Sequence, residues 1–253
     1  MSPAASTASS HPPTIAMILA AGRGERMRPL TDTVPKPLLP LRGKPLMQWT
    51  MESLARGAFR RLVVNTAWLG EQIEDRFGAL FGAGPAQDSA PLRIRYSHEG
   101  RDFGQALETA GGIARALPLL GDVFWVTAGD VFAPDFEFSQ AAVDRFKSGH
   151  TLAHLWLVPN PPHNAKGDFG LSGSGMALNR PEPDQSSYTF STTALYRAEF
   201  FDALPFGNLH GERFALAPLL RAGIERGQVS AEVFHGTWAD VGTSERLHQL
   251  NRS

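Results

Sequence analysis

The chain has 253 residues, 42% hydrophobic and 19% charged, the proportions of an ordinary soluble globular protein and enough for one large α/β domain. Its 24 basic and 25 acidic residues nearly cancel, so no global field favours a nucleic-acid polymer and any anion site must be local. Cysteine is absent, which removes disulfides, thiolate nucleophiles and cysteine-based metal sites.

The first thirteen residues, MSPAASTASSHPP, have neither the basic nor the apolar segment of a secretory signal and read as a disordered tail. No stretch approaches the roughly 18 apolar residues of a membrane span, so the cytoplasm is the expected location. Residues 14–20 (TIAMILA) read as a buried strand, 46–57 as a helix ending at Gly57, and 59–66 as a strand. A helix over 69–78, a strand over 92–99, a helix over 108–120 and a strand over 122–128 follow. Residues 138–149 read as helix, 150–158 as strand, 188–197 as an alternating β segment, 213–227 as helix, 229–235 as strand and 244–252 as helix.

This β-α-β alternation predicts an α/β fold with a mostly parallel, Rossmann-like doubly wound sheet and helices on both faces. Ligands in such sheets bind beyond the carboxyl ends of the strands, where LAAGRGERM and VTAGDVF both fall. After about residue 158, Pro- and Gly-rich stretches loosen the pattern. A single domain over 14–253 is expected, with a smaller sheet-rich lid over about 158–197. No internal repeat is present.

The segment LAAGRGERMRPLTDTVPKPLLP carries the chemistry. Gly22 and Gly24 let backbone N–H groups converge on an anion, and Arg23, Arg26 and Arg28 supply forked donors for phosphate oxygens. Lys36 stands between Pro35 and Pro37 as a point charge on a constrained loop. A turn with solvated arginines is the plain alternative. The strand in front, the three arginines and the P-K-P box together weigh against it. No G-K-[ST] follows, so this is not a Walker A loop, and Met27 stands where a dinucleotide fingerprint needs its third glycine. In TAGDVF, Asp130 follows an apolar strand at the ligand edge, and Asp240 lies in GTWADVG. Each could equally be a turn or cap aspartate. The eight histidines show no metal-binding spacing.

The opening segment resembles the signature of the sugar-1-phosphate nucleotidylyltransferases, L-A-A-G-x-G-x-R-[ML]-x-P-L-T followed by P-K-P, and further landmarks extend the likeness over roughly residues 14–250. The resemblance implies the nucleotide-diphospho-sugar transferase fold, with a sugar-binding lid. It also implies attack by a sugar 1-phosphate on the α-phosphorus of a nucleoside triphosphate (UTP or another), releasing pyrophosphate. By the same resemblance, Leu19, Ala20, Gly22, Arg23 and Gly24 wrap the nucleotide, and Arg26 and Lys36 hold the triphosphate. Asp130 takes a catalytic role and joins Asp240 on one Mg²⁺. Glu108, Thr109 and Gly112 of LETAGG flank the base, at a place where many relatives have glycine for Glu108.

Sugar contacts are expected from Asn160, Lys166 and Asp168 in NPPHNAKGDF, and from Ser191 and Thr192, the latter standing where relatives usually have glycine. LETAGG, GDFGLSG and HGTWADVGTSERL resemble the branch that uridylylates N-acetylmuramate 1-phosphate in peptidoglycan recycling. For its extra lactyl carboxylate, His163, Asn164 and Lys166 are the lid's available donors. Lys166 is assigned to the common phosphate and selectivity to Asn164, Thr192 and pocket shape. Two rival readings stay open: the same chemistry on glucose, mannose or N-acetylglucosamine 1-phosphate or with another triphosphate, and a non-catalytic nucleotide-sugar-binding subunit. Intact Arg26, Lys36, Asp130 and Asp240 count against the second. Oligomeric state is left open.

Overall fold

Ile15–Leu19 (β1) is apolar at every position, as a strand covered on both faces must be. The computed structural model describes residues 14–82, 90–181 and 185–252, so the expected N-terminal tail lies outside the described residues. Seven further strands join β1: Arg61–Thr66 (β2), Leu80–Phe81 (β3), Leu92–His98 (β4), Val123–Ala128 (β5), Ala153–Val158 (β6), Thr189–Arg197 (β7) and Val229–Val233 (β8). Among the described residues they form one sheet in the order β8-β6-β7-β5-β1-β2-β4-β3. β7 runs antiparallel to β5 and β6, and β3 antiparallel to β4; the other pairings are parallel.

Side-chain alternation sends each strand into two cores. From β1, Ile15 and Met17 enter one layer, and Ala16 and Ile18 the other. The first layer is closed by helices Glu108–Ala116 and Leu216–Glu225, through Ile113, Leu220 and Ile224. The second is closed by helices Leu46–Arg56, Gly70–Phe77 and Gln140–Ser148, through Met51, Ile73 and Val143. No helix among the described residues is long and apolar enough to cross a membrane.

Local chemistry sets the helix ends. The first helix stops at Gly57, where a Cβ would lie 2.0 Å from the Phe138 carbonyl oxygen. The helix expected over 108–120 ends at Ala116 and tightens into a 3-10 turn, because Pro118 has no N–H for the next helical bond. The helix expected from 213 begins at Leu216: Phe214 pairs instead with Leu107, and its carbonyl accepts from the Ala110 and Gly111 amides.

The expected lid needs one correction. Its last nine residues, Thr189–Arg197, are β7, an interior strand of the main sheet buried at most positions. The alternation T-F-S-T-T-A-L-Y suits an interior antiparallel strand as well as a lid hairpin. The intervening segment carries a 3-10 turn at Pro162–Asn164 and a ribbon pairing Gly170–Leu171 with Ala177–Leu178.

β1 sits where the chain order reverses, with β2 on one side and β5 on the other. The loops leaving β1 and β5 therefore open into one crevice, the usual ligand position in a doubly wound sheet. They are stitched together by the Gly129 amide donating to the Leu19 carbonyl at 2.9 Å.

Candidate active site

The crevice is a cavity of about 940 Å³. Leu19, Ala20, Gly22, Arg23, Gly24 and Arg26 of the opening loop border it, as do Lys36, Glu108, Thr109, Asp130, Asp168 and Thr192. The fold thus gathers expected residues from six separated stretches. Gly24 has φ +67°, and a Cβ there would meet Thr31 at 3.0 Å; a Cβ on Gly22 would meet nothing within 4 Å. Gly24 makes the turn, and Gly22 leaves open space.

The three arginines of this loop behave differently. Arg23 donates to the Thr31 carbonyl at 2.8 Å, pairs with Asp32 at 2.9 Å and lies 3.6 Å over the Trp68 ring. Arg28 also takes Asp32, at 2.8 Å, and these guanidinium groups hold the Asp32 carboxyl below its usual range, the Arg23 hydrogen bond foremost. Arg26 borders the cavity with no acidic partner among the described residues. Lys36 opens a 3-10 turn fixed by Leu38 N–H to the Pro35 carbonyl at 2.8 Å, and its buried ammonium ion-pairs with Asp130.

Asp130 and Asp240 come together through a two-stranded ribbon that pairs Val131 with Asp240, and the Val241 amide donates to the Asp130 carbonyl at 3.0 Å. A third apolar cluster, with Met27, Leu46, Phe132, Val241 and Leu247, packs this ribbon against the opening loop and the C-terminal helix Ser244–Arg252. Asp240 pairs with Arg246, and with His163 at 2.8 Å. Gly242, not Asp240, borders the cavity. The two carboxylates supply hard oxygen donors of the kind a divalent cation uses, each engaged here by a cationic side chain. No cluster of three acidic or histidine side chains that could hold a metal occurs among the described residues.

Four expected contacts lie elsewhere. Asn160 is spent on the Ala165 and Ser187 carbonyls and on the Thr189 hydroxyl at the start of β7. Lys166 is exposed and does not border the cavity, and buried Ser191 donates to the Trp156 carbonyl at 2.6 Å. Gly112 is a helix-interior residue whose added Cβ would lie 2.4 Å from a Glu99 oxygen. The family resemblance placed these four near the site but could not say which way each faces.

Beneath the cavity runs a chain of hydrogen bonds that the sequence reading missed. The Ala20 amide donates to Asn65 Oδ1 at 2.8 Å, Asn65 Nδ2 to Glu99 at 2.6 Å, and the Leu107 amide to the other Glu99 oxygen at 2.7 Å. Burial pushes the Glu99 carboxyl above its usual range, opposed by these two donors. The chain links the opening loop to the loop before Glu108. Both residues stand at carboxyl ends of strands (Asn65 in VVNT, Glu99 in SHEG), and that position was the signal available. Gly112→Ala should therefore cost about 1–3 kcal/mol by overpacking this chain. Urea unfolding measures it; an unchanged midpoint would show that Glu99 yields freely.

Two non-glycine residues at the cavity have left-handed backbone, Glu108 at φ +63° and Thr192 at φ +65°. These are the positions where the sequence departs from a glycine usual in the resembling family. Each carries about 1–2 kcal/mol of backbone strain, held by its surroundings. Glu108 pairs with Arg213 at 2.8 Å, and Thr192 sits at the register shift between β6 and β7.

An open crevice at the switch point of a doubly wound sheet, rimmed by a glycine turn, cations and a carboxylate, defines a nucleotide-binding α/β protein. The chain belongs to the nucleotidyl transferase family, whose model matches residues 15–253. It is 48% identical over 238 residues to the N-acetylmuramate α-1-phosphate uridylyltransferase of Neisseria meningitidis serogroup B, covering 92% of this chain and 95% of that one. It is 31% identical to the protein of the same description from Caulobacter vibrioides, covering 92% and 93%. An apo UDP-glucose pyrophosphorylase structure superposes with a TM-score of 0.71 at 16% identity, covering 94% and 97%, and so shares the fold.

Proposed function

We propose that this enzyme transfers UMP from UTP to N-acetylmuramate α-1-phosphate and releases pyrophosphate. The observation that carries this reading is the meeting of the opening loop and the Lys36–Asp130 pair in one cavity. The chain as a whole is 48% identical, over 238 residues, to a uridylyltransferase of that substrate. A phosphate oxygen of the sugar 1-phosphate attacks the α-phosphorus of UTP. The bond from that phosphorus to the α–β bridging oxygen breaks, and pyrophosphate leaves with the electron pair. The attacking oxygen is already anionic, so no protein base is needed. Catalysis then rests on positioning and charge stabilisation.

Main-chain N–H groups of residues 19–24 and the Arg26 side chain receive the triphosphate. Lys36 stabilises the charge that grows on the leaving pyrophosphate. Thr109, with the loop held by Glu99, positions the base end, and the Ala20–Asn65–Glu99–Leu107 chain fixes the spacing between base and phosphates. Asp168 and Thr192 face the sugar. Asp130 and Asp240 would hold Mg²⁺, which when bound supplies charge neutralisation to the phosphates. The cytoplasm, with its UTP, is the compartment this chemistry calls for.

Pyrophosphate release across a panel of triphosphates and sugar 1-phosphates tests the reading. UTP with the muramate compound should give the highest kcat/KM. Better turnover of glucose 1-phosphate or N-acetylglucosamine 1-phosphate would overturn the substrate assignment.

A further inference from the structure

Five cationic side chains border the cavity: Arg23, Arg26, Lys36, Arg213 and Arg221. Three are neutralised, Arg23 by Asp32, Lys36 by Asp130 and Arg213 by Glu108. Arg26 and Arg221 pair with no carboxylate among the described residues. Arg26 belongs to the triphosphate end. Arg221 stands on the helix Leu216–Glu225, in the stretch of wall that also includes Asp168 and Phe169.

The setting of Arg221 orients its charge without cancelling it. Its guanidinium makes two long contacts to backbone carbonyls, Asn179 at 3.4 Å and Asp168 at 3.5 Å, and lies 5.3 Å from the centre of the Phe169 ring. A planar fork held in this way keeps donors available for a carboxylate. The nearby acid is itself occupied: the Asp168 carboxylate accepts from the Phe190 amide at 2.8 Å and from Asn164 at 3.2 Å. Arg221 therefore meets the Asp168 carbonyl and has no ion pair with its carboxylate.

The lid donors that the sequence offered for a lactyl carboxylate are engaged or misplaced. His163 holds Asp240, Asn164 is bonded to Asp168 and Thr189, and Lys166 does not border the cavity. N-acetylmuramate differs from N-acetylglucosamine by a lactyl ether that carries a carboxylate. A hexose 1-phosphate without an acidic substituent offers no second anion for a cation on the sugar side. Resting on the substrate reading above, we infer that Arg221 receives the lactyl carboxylate and selects the acid-bearing sugar.

The test compares wild type, R221M and R221K with UTP and three acceptors. These are N-acetylmuramate 1-phosphate, the same compound with its lactyl carboxyl converted to the amide, and N-acetylglucosamine 1-phosphate. In R221M the ratio of kcat/KM for the muramate compound to that for each uncharged acceptor should fall on the order of 10- to 100-fold. R221K, which keeps the charge but not the fork, should fall between. Arg221 is exposed, so thermal unfolding should report a folded R221M protein. A ratio within about twofold of wild type, through equal loss on all acceptors or no loss, overturns the assignment. In that case wild type would still prefer the muramate compound, and the proposed function would stand. A wild type that fails to use the muramate compound while using another hexose 1-phosphate overturns both.

Discussion

Lys36→Ala should lower kcat by on the order of 10²-fold or more while the fold persists. The side chain is only 10% exposed, in a turn closed by flanking prolines, so its ammonium is delivered to the cavity with little freedom to lose. A cation held in a partly dry site stabilises charge that appears in the transition state more than an exposed one could. The fold should survive because Asp130, left without its partner, is about one-third exposed and can be hydrated. Pyrophosphate release under saturating UTP, with thermal unfolding as the control, reads the effect. Turnover within about twofold of wild type would remove Lys36 from the chemistry.

The second large effect is expected at the two aspartates. Asp130→Asn and Asp240→Asn should each raise the Mg²⁺ concentration for half-maximal rate by on the order of 10-fold or more, because a neutral amide is a poor partner for a hard cation. Asp240 also anchors Arg246 and His163, so its substitution alone cannot separate metal binding from local order. Arg246→Met makes the separation, since it removes the ion pair and keeps the carboxylate. If D240N and R246M shift the Mg²⁺ titration equally, Asp240 acts through its ion pair. Unchanged titrations for both aspartate variants would move the metal elsewhere.

Much of the fold was legible along the chain because local rules and packing agreed. β1 is a continuous apolar run and β5 one broken only by Thr127, as strands covered on both faces require, and the helices between them show one apolar stripe each. Their order sends the loops with Gly22, Gly24 and Asp130 to one edge of the sheet, so part of the cavity followed from order alone. The strand Thr189–Arg197 was misplaced for a matching reason. Alternation reports a face to bury and does not say whether that face lies in a lid or in the main sheet.

What remained hidden depends on direction and distance between residues far apart in sequence. Arg23 reads like Arg26 in the sequence, but Trp68 and Asp32 engage its guanidinium. Glu108 and Thr192 look like plain departures from a glycine until their backbones prove left-handed. Asn65 and Glu99 are separated by 34 residues and meet only because β2 and β4 are neighbours. The sequence by itself determined the class of fold, the glycine turn and the cationic loop, since each follows from local backbone freedom and periodicity. The tertiary structure alone decided which charges are ion-paired within the protein and which are not. A net charge of −1 is compatible with any pairing, and pairing is fixed by which side chains come within about 4 Å.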